Sequence, residues 1–279
     1  MTDREYATPF TMFHAASLLG QRSRIEKFKQ AIQKVVVKGD YVVDIGTGSG
    51  VLAILAAKAG AGRVTAIEVN AESLRYAKEA AQLNEVEQLI EFVEGNFTEF
   101  KPRERADVVI CEMLSSMMLV EQQVPASLYA SREILKPNGT LLPQGVKVFV
   151  VPVECPEIWE RFQFDNIRFP RVVQTATHEA TKDLADLQVL VTFDLTNLKM
   201  DNSVDRRLRF EMVENGTIHG LVGVFEAKLY KNIKLEMSDG WKQLFIPLAQ
   251  PIEVSVGDTF ATRIYYQPGK FDSLIVEEE

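Results

Sequence analysis

The chain has 279 residues, which is enough for one large domain or two modest ones with a substantial core. Its composition, 46% hydrophobic and 25% charged, is that of a globular protein, and a formal net charge of -8 argues against general binding to nucleic acid or anionic membranes. Two cysteines and three histidines are too few for a disulfide framework or a recognisable zinc site, so no metal is expected.

Targeting and membrane-spanning patterns are also missing from the sequence. Residues 1–5 lack the basic-then-apolar layout of a signal peptide, and no apolar stretch approaches the length needed to span a bilayer. We therefore expect a cytoplasmic protein that makes no contact with membranes.

The amino-terminal half alternates short apolar runs with helical periods. The apolar runs lie at 41–43, 64–67, 90–93 and 106–110. The helical segments lie at 15–36, 51–59, 71–83 and 122–135, and turn residues follow at 136–139. Because fully buried parallel strands have such short continuous apolar runs, this pattern predicts an α/β fold with a doubly wound sheet and helices on both faces.

From about residue 145 the pattern changes to β-branched and aromatic runs separated by turn pairs. These runs lie at 146–153, 189–195, 221–230, 252–256 and 259–266. They predict a mostly antiparallel β-barrel or sandwich. We place the boundary near Pro143 to Gly145, so that residues 1–143 form a ligand-binding α/β domain and residues 144–279 form a β-rich domain.

The first apolar run leads into a glycine-rich loop, Asp44-Ile45-Gly46-Thr47-Gly48-Ser49-Gly50, which opens a helical segment. Open α/β sheets bind ligands at such turns, at the carboxyl edge of the sheet. A dinucleotide fingerprint would be Gly-x-Gly-x-x-Gly, but Val51 occupies its last position and the third glycine comes one residue early. Asp44 also suits a cationic ligand better than a pyrophosphate. The loop therefore favours S-adenosylmethionine, which carries an ammonium and a sulfonium but no phosphate.

Residues after the next two apolar runs complete the candidate cofactor site. Glu68 lies at the end of its run, where a carboxylate can accept hydrogen bonds from both ribose hydroxyls, and Val69 follows it. Asn96 and Phe97 follow the run at 90–93, where they can reach the edge and the face of an adenine. Core packing explains Phe97 equally well, and the glycines alone would also fit a tight strand-to-helix turn.

Two glutamates mark the segment after the run at 106–110. Glu112 and Glu121 stand nine residues apart in an otherwise uncharged, methionine-rich stretch. Paired carboxylates at a water-poor sheet edge can hold a planar guanidinium and align its nitrogen with the sulfonium methyl group. The alternative is that Glu112 is an acid at a helix amino terminus and Glu121 a solvated helix residue.

With this pair the sequence resembles the protein arginine methyltransferase family over nearly the whole chain. The double-glutamate loop of that family matches Glu112 and Glu121, its glycine loop matches Asp44, Gly46, Gly48 and Gly50, and its ribose acid matches Glu68.

The resemblance implies further roles and partners. Arg24 lies where the family has an arginine that pairs with the cofactor carboxylate, and the β-rich half would be a barrel beside the substrate cleft. A homodimer would be held by an arm within residues 157–180. Two positions depart from the family pattern, because Gly240 replaces a loop histidine and Met113 replaces an aromatic residue.

Three functions remain open at this stage. The first is a protein arginine methyltransferase, in which Glu112 and Glu121 position the acceptor and stabilise the charge that develops on the attacking nitrogen. The second is an enzyme of the same architecture that methylates a nitrogen or oxygen of a small molecule or RNA, which Gly240 and Met113 favour. The third is a cofactor-binding module without catalytic activity. For the enzymes we expect direct transfer with no metal and no covalent enzyme intermediate.

Overall fold

A computed structural model of the protein describes residues 11–279, so the predicted absence of a signal peptide at residues 1–5 concerns residues outside that range. The amino-terminal half is built on a parallel sheet with the strand order β3-β2-β1-β4-β5. Its strands are β1 Tyr41–Ile45, β2 Arg63–Glu68, β3 Ile90–Glu94, β4 Ala106–Cys111 and β5 Leu135–Leu142. The predicted doubly wound α/β sheet is confirmed, and its order reverses between β1 and β4.

Helices of the described chain connect and flank these strands. They are α1 Met12–Ser17, α2 Arg22–Val35, α3 Val51–Ala59, α4 Ala71–Leu83, α5 Gln123–Tyr129 and α6 Pro156–Glu160. Helix α3 ends at Gly60, which adopts a left-handed conformation with φ +113° that closes the helix. Helix α4 begins where the Asn70 side chain accepts a hydrogen bond from the Ser73 amide at 2.9 Å.

Several predicted elements have different bounds in the structure, and two of them also differ in kind. The helical segment predicted at 15–36 is divided by a short turn at Leu18–Gly20, which separates α1 from α2. The turn predicted at 136–139 is wrong, because these residues belong to β5. The pairing of β4 with β5 jumps from Leu135 to Thr140, so the turn-forming residues are accommodated in a local irregularity of the strand.

The carboxyl-terminal half consists of antiparallel sheets, as predicted. A seven-stranded sheet has β6 and β13 at its centre, β12, β16 and β17 form a second sheet, and β7 pairs with β8. The strands are β6 Gly145–Glu154, β7 Gln163–Phe164, β8 Ile167–Arg168, β9 Gln174–Ala176, β10 Lys182–Asp183, β11 Gln188–Asp194, β12 Val204–Glu211, β13 Gly216–Tyr230, β14 Ile233–Glu236, β15 Gln243–Val254, β16 Thr259–Tyr266 and β17 Ile275–Glu278. Within residues 11–279 no sheet closes into a barrel.

The two halves share one hydrophobic core. Its buried side chains include Val43 of the parallel sheet, Met117 of the loop after β4, and Phe225 and Tyr266 of the antiparallel sheets. Burial of large apolar side chains stabilises a fold by about 1.5–3 kcal/mol each, so this continuous core resists separation of the halves. Among the described helices, none has the length and apolar character needed to cross a membrane.

Candidate functional site

A cavity of about 1430 Å³ lies at the carboxyl edge of the parallel sheet. One part of it, here called the glycine end, is lined by Gly46–Ser49, Glu68 and Asn96. The other part, here called the glutamate end, is lined by Glu112, Glu121 and Trp241. The predicted catalytic pair and all of the predicted cofactor residues except Asp44 and Gly50 therefore border one cavity, although they are distant in the sequence.

The glycine loop needs glycine at Gly46 and Gly50 for reasons of space as well as conformation. Both have positive φ, at +72° and +79°. A Cβ atom at Gly50 would lie 2.8 Å from the Cβ of Ala77 in α4, and one at Gly46 would lie 3.3 Å from the Met113 side chain. The amides of Gly46 and Thr47 both donate to the Ile67 carbonyl oxygen, which fixes the turn against β2.

Asp44 lies behind the glycine loop, outside the cavity lining. Its carboxylate is 1% exposed and accepts a hydrogen bond from the Thr47 hydroxyl at 2.6 Å. Burial raises the pKa of Asp44 to about 7, although the bond from Thr47 opposes this shift. Gly50 also stays outside the lining, whereas Ser49 borders the cavity. Asp44 and Gly50 therefore shape the loop that their neighbours present to the cavity.

Glu68, at the end of β2, connects the glycine loop to the start of α4. One carboxylate oxygen accepts a hydrogen bond from the Gly48 amide and the other accepts one from the Asn70 amide, both at 2.9 Å. Val69 follows it on the cavity wall. Each carboxylate oxygen has a second lone pair, so Glu68 can accept further hydrogen bonds from a ligand.

Asn96 and Phe97 also border the glycine end. The Asn96 side-chain oxygen accepts hydrogen bonds from the amide and the hydroxyl of Thr98, both at 3.0 Å. The ring of Phe97 packs edge to face with Tyr129 at 5.8 Å between centroids, and it also contacts the core. Both predicted environments of Phe97, the core and the cavity, are therefore present.

Arg24 reaches the glutamate end from the first turn of α2. Its guanidinium forms an ion pair with the Glu112 carboxylate, donates to the Gln21 side-chain oxygen at 2.8 Å, and lies 4.7 Å from the centre of the Trp241 ring. Burial lowers the pKa of Arg24 to about 10, while the charge of Glu121 opposes this shift. The arginine is still a cation at neutral pH, and two carboxylates surround it.

Glu121 is the second carboxylate of the pair, and it lies in a more apolar environment than a surface glutamate. Burial raises the pKa of Glu121 to about 7, and the charge of Arg24 counteracts part of this effect. The Glu121 amide donates a hydrogen bond to the Ser115 hydroxyl at 3.1 Å. A carboxyl with this pKa can bind a cation when ionised and can accept a proton near neutral pH.

The β-rich half holds the segment between the two glutamates. Met117 and Met118 have positive φ, at +62° and +54°, and both side chains are fully buried. The Tyr266 hydroxyl donates to the Met117 carbonyl oxygen at 2.8 Å, and the Gly269 amide donates to that of Met118 at 3.0 Å. Contacts from outside the segment therefore maintain a backbone shape that non-glycine residues rarely adopt.

Sequence reasoning did not identify three residues that contact the glutamate end, namely Gln21, Trp241 and Tyr266. The Trp241 indole donates to the Leu114 carbonyl oxygen at 2.8 Å across 127 residues of sequence. No local pattern signals such a pairing. Of the two departures from the family pattern, Met113 lies against Gly46 and Gly240 adopts φ +129° at the cavity wall.

The open parallel sheet, the glycine turn after β1 and the acid that ends β2 define a class I methyltransferase-like fold. Residues 29–146 match the sequence model of the ribosomal protein L11 methyltransferase (PrmA), and residues 146–268 match that of the PRMT5 oligomerisation domain.

Curated proteins and solved structures show the same similarity. The chain is 28% identical over 262 residues to the histone-arginine methyltransferase CARMER of Drosophila persimilis, covering 83% of this chain and 49% of that one. It is 26% identical over 269 residues to the arginine N(omega)-methyltransferase of Streptomyces achromogenes subsp. streptozoticus, covering 89% and 74%. The chain thus spans about half the length of the first of these relatives.

Two solved structures have the same fold as this chain over almost its whole length. The Trypanosoma brucei PRMT1 enzyme-prozyme complex with AdoHcy superposes with a TM-score of 0.79 at 22% identity, covering 94% of this chain and 92% of that one. Arabidopsis thaliana protein arginine methyltransferase 10 gives 0.79 at 17% identity, covering 96% of both. The predicted resemblance is confirmed: the chain is protein arginine methyltransferase-like in sequence and in fold.

Proposed function

We propose that this protein is an S-adenosylmethionine-dependent methyltransferase that methylates the guanidino group of arginine. The observation that carries the proposal is that the glycine loop with Glu68 and the carboxylates of Glu112 and Glu121 border the same cavity. The names of the relatives support it, because both curated relatives described above are called arginine methyltransferases. Neither the RNA acceptor nor the non-catalytic module finds support of this kind.

The residues of the glycine end fit the cofactor. Glu68 has lone pairs for the ribose hydroxyls, and the loop residues Gly46, Gly48 and Ser49 leave room for the ligand to approach the backbone. Val69, Asn96 and Phe97 would surround the adenine. The bound cofactor would supply a methyl group activated by its positively charged sulfur.

Arg24 provides the cationic side of the cofactor site. Its guanidinium has five N–H donors, and the contacts to Glu112 and Gln21 leave donors for the cofactor carboxylate. Because Arg24 contacts the glutamate end as well, we propose that it aligns the cofactor with the acceptor. Asp44 and Gly50 would act indirectly, by maintaining the conformation of the glycine loop.

The carboxylates of Glu112 and Glu121 would hold the acceptor guanidinium and turn one nitrogen towards the methyl group. On receiving the methyl group that the cofactor would supply, that nitrogen would lose one proton. Glu121 can accept this proton because its pKa is raised to about 7. The two glutamates also stabilise the positive charge that is shared across the guanidino group during transfer.

The domain division, the cellular location and the oligomeric state concern the chain as a whole. We propose that it divides near Pro143 to Gly145 into a cofactor domain, 1–143, and a β-rich substrate domain, 144–279, and that it acts in the cytoplasm. We also propose a homodimer, supported by the oligomerisation-domain match and by the exposed apolar side chains of Phe164, Ile167 and Phe169 in and beside the hairpin of β7 and β8.

Free arginine is a second candidate acceptor, beside arginine in a protein. The Streptomyces relative, of which the match covers 74%, is named arginine N(omega)-methyltransferase. Lys242 also borders the cavity next to Trp241, and its side chain is exposed. Its ammonium is therefore available for the carboxylate of a free amino acid, a group that an arginine inside a peptide does not have.

The direct test is an assay with methyl-labelled S-adenosylmethionine and two acceptors, free arginine and an arginine-containing peptide. We expect label on one of them with the wild type, and a transfer rate lower by about 10² or more with Glu112→Gln or Glu121→Gln. Lys242→Met distinguishes the two acceptors. It should raise KM for free arginine and leave KM for the peptide unchanged. Transfer to neither acceptor would contradict the proposed function.

A further inference from the structure

The turn at residues 236–241 of the β-rich half docks against the start of α2. Asp239, 4% exposed, accepts hydrogen bonds from the Ser23 hydroxyl at 2.5 Å and from the Lys27 ammonium at 2.6 Å. It also accepts a hydrogen bond from the Glu236 amide at 2.8 Å, which connects the two ends of the turn. Two residues of α2, Ser23 and Lys27, thus fix the turn in place through side-chain bonds to Asp239.

Gln21, directly before α2, contacts the same turn in a different way. Its side-chain nitrogen donates to the Gly240 carbonyl oxygen at 3.0 Å, and its side-chain oxygen accepts from Arg24 at 2.8 Å. One amide therefore connects the turn to the guanidinium that pairs with Glu112. An amide can do this because it carries both a donor and an acceptor, whereas a carboxylate at this position would have no donor for the Gly240 carbonyl.

Gly240 makes room for this connection. A Cβ atom at Gly240 would lie 2.4 Å from Cδ and 2.6 Å from Oε1 of Gln21, and the residue has φ +129°. A histidine at this position, as in the family pattern, would collide with Gln21 in this arrangement. The space that a side chain at position 240 would need is filled here by the Gln21 amide.

We propose that Gln21 is a positioning residue that holds the Arg24 guanidinium between Glu112 and the Trp241 ring, and that the absence of a side chain at Gly240 gives its amide the room to do so. The inference rests on the proposed function, since Arg24 is taken to bind the cofactor carboxylate. Without the Gln21 acceptor, Arg24 keeps its ion pair with Glu112 but loses the contact that fixes its orientation towards the cofactor.

The test compares Gln21→Met with Lys27→Met in the full chain. Methionine has nearly the volume of glutamine and lacks both hydrogen bonds, and Lys27→Met removes a contact to the same turn without touching Arg24. Titration calorimetry with S-adenosylmethionine should show an affinity reduced about tenfold or more for Gln21→Met, the loss expected for a hydrogen bond to a charged group. Lys27→Met should bind S-adenosylmethionine with the wild-type affinity. This difference between the variants should remain even if both substitutions lower Tm by the same amount.

A double-mutant cycle makes the assignment independent of folding. Gly240→Ala should weaken cofactor binding strongly in the wild-type background, because the new methyl group displaces the Gln21 amide. In a Gln21→Ala background the methyl group has room, so the same substitution should change affinity much less. The strain of alanine at this φ is present in both backgrounds and cancels.

The outcomes separate the inference from the proposed function. A wild type that does not bind S-adenosylmethionine would overturn both. A wild type that binds, with equal affinities for Gln21→Met and Lys27→Met, would overturn only the role of Gln21. Additive effects of Gly240→Ala and Gln21→Ala on affinity would do the same.

Discussion

The two ends of the cavity are built in different ways. At the glycine end, the loop is fixed by contacts to β2 and α4, all within the amino-terminal half. At the glutamate end, Tyr266, Gly269 and Trp241 hold the segment that carries Glu112 and Glu121. The difference teaches that the amino-terminal half alone shapes the glycine loop and Glu68, whereas Arg24 and the carboxylate pair depend on both halves. Substitutions at the two ends should therefore have separable effects.

Replacement of Glu121 by glutamine should give the largest effect. We expect a loss of about 10² to 10³ in kcat, the range found when a group that stabilises transition-state charge is removed, with little change in cofactor affinity. In the wild type, activity should rise with pH through about 7 as Glu121 ionises. A pH profile of kcat/KM checks this, and a profile that is flat between pH 6 and 8, on the order of one unit either side of that pKa, would contradict it.

Gly50→Ala should damage the glycine end through both conformation and space. Alanine in the left-handed region costs about 1–2 kcal/mol, and overpacking against Ala77 adds about 1–3 kcal/mol. Gly257→Ala is the matched control, because Gly257 has φ +91° and nothing within 4 Å of an added Cβ. Chemical denaturation should show the larger loss of stability for Gly50→Ala, with loss of cofactor binding. Equal losses for both variants would show that space does not matter at Gly50.

Tyr266→Phe should affect only the glutamate end. It leaves the buried Met117 carbonyl oxygen without its partner, at a cost of about 1–3 kcal/mol in unfolding free energy. Tyr265→Phe, one residue earlier on β16, makes no such contact and is the control. We expect kcat to fall for Tyr266→Phe while the Kd for the cofactor is unchanged. A loss of cofactor binding would mean that the two ends are not separable.

Asp44→Asn should have the smallest effect, visible mainly in how stability depends on pH. Burial raises the pKa of Asp44 from 3.8 to about 7, so the folded protein retains a proton that the unfolded chain releases in this interval. The contribution of Asp44 to stability is therefore largest below pH 3.8 and falls as pH rises to about 7. Asparagine keeps the acceptor for Thr47 and should remove this part of the slope in denaturation curves recorded across that range. An unchanged slope would contradict the assigned pKa shift.

Sequence reasoning succeeded where the signal is local. The loop from Asp44 to Gly50 and the acid at Glu68 follow directly after apolar runs, and parallel strands bring their carboxyl ends to one edge. The turn predicted at 136–139 failed because Leu135 and Thr140 on either side of it pair with β4, which keeps these residues within the strand as an irregularity.

The contacts that define the glutamate end could not be predicted from the sequence. Tyr266 and Met117 are 149 residues apart, and Gln21 and Gly240 are 219 residues apart. Such pairs depend on how the β-rich half packs on the sheet, which no periodicity or motif encodes. Local sequence patterns predict Asp44 beside the ligand because it adjoins the loop in the chain, and they give no sign that its side chain is buried and bonded to the Thr47 hydroxyl.

The most direct test of the account is a calorimetric titration of S-adenosylmethionine into the wild type, Glu68→Gln and Glu121→Gln. We predict one site per chain in the wild type, an affinity at least about tenfold weaker for Glu68→Gln, and an unchanged affinity for Glu121→Gln. No binding to the wild type, or an equal affinity for Glu68→Gln, would contradict the claim that the carboxyl edge of the parallel sheet holds the methyl donor.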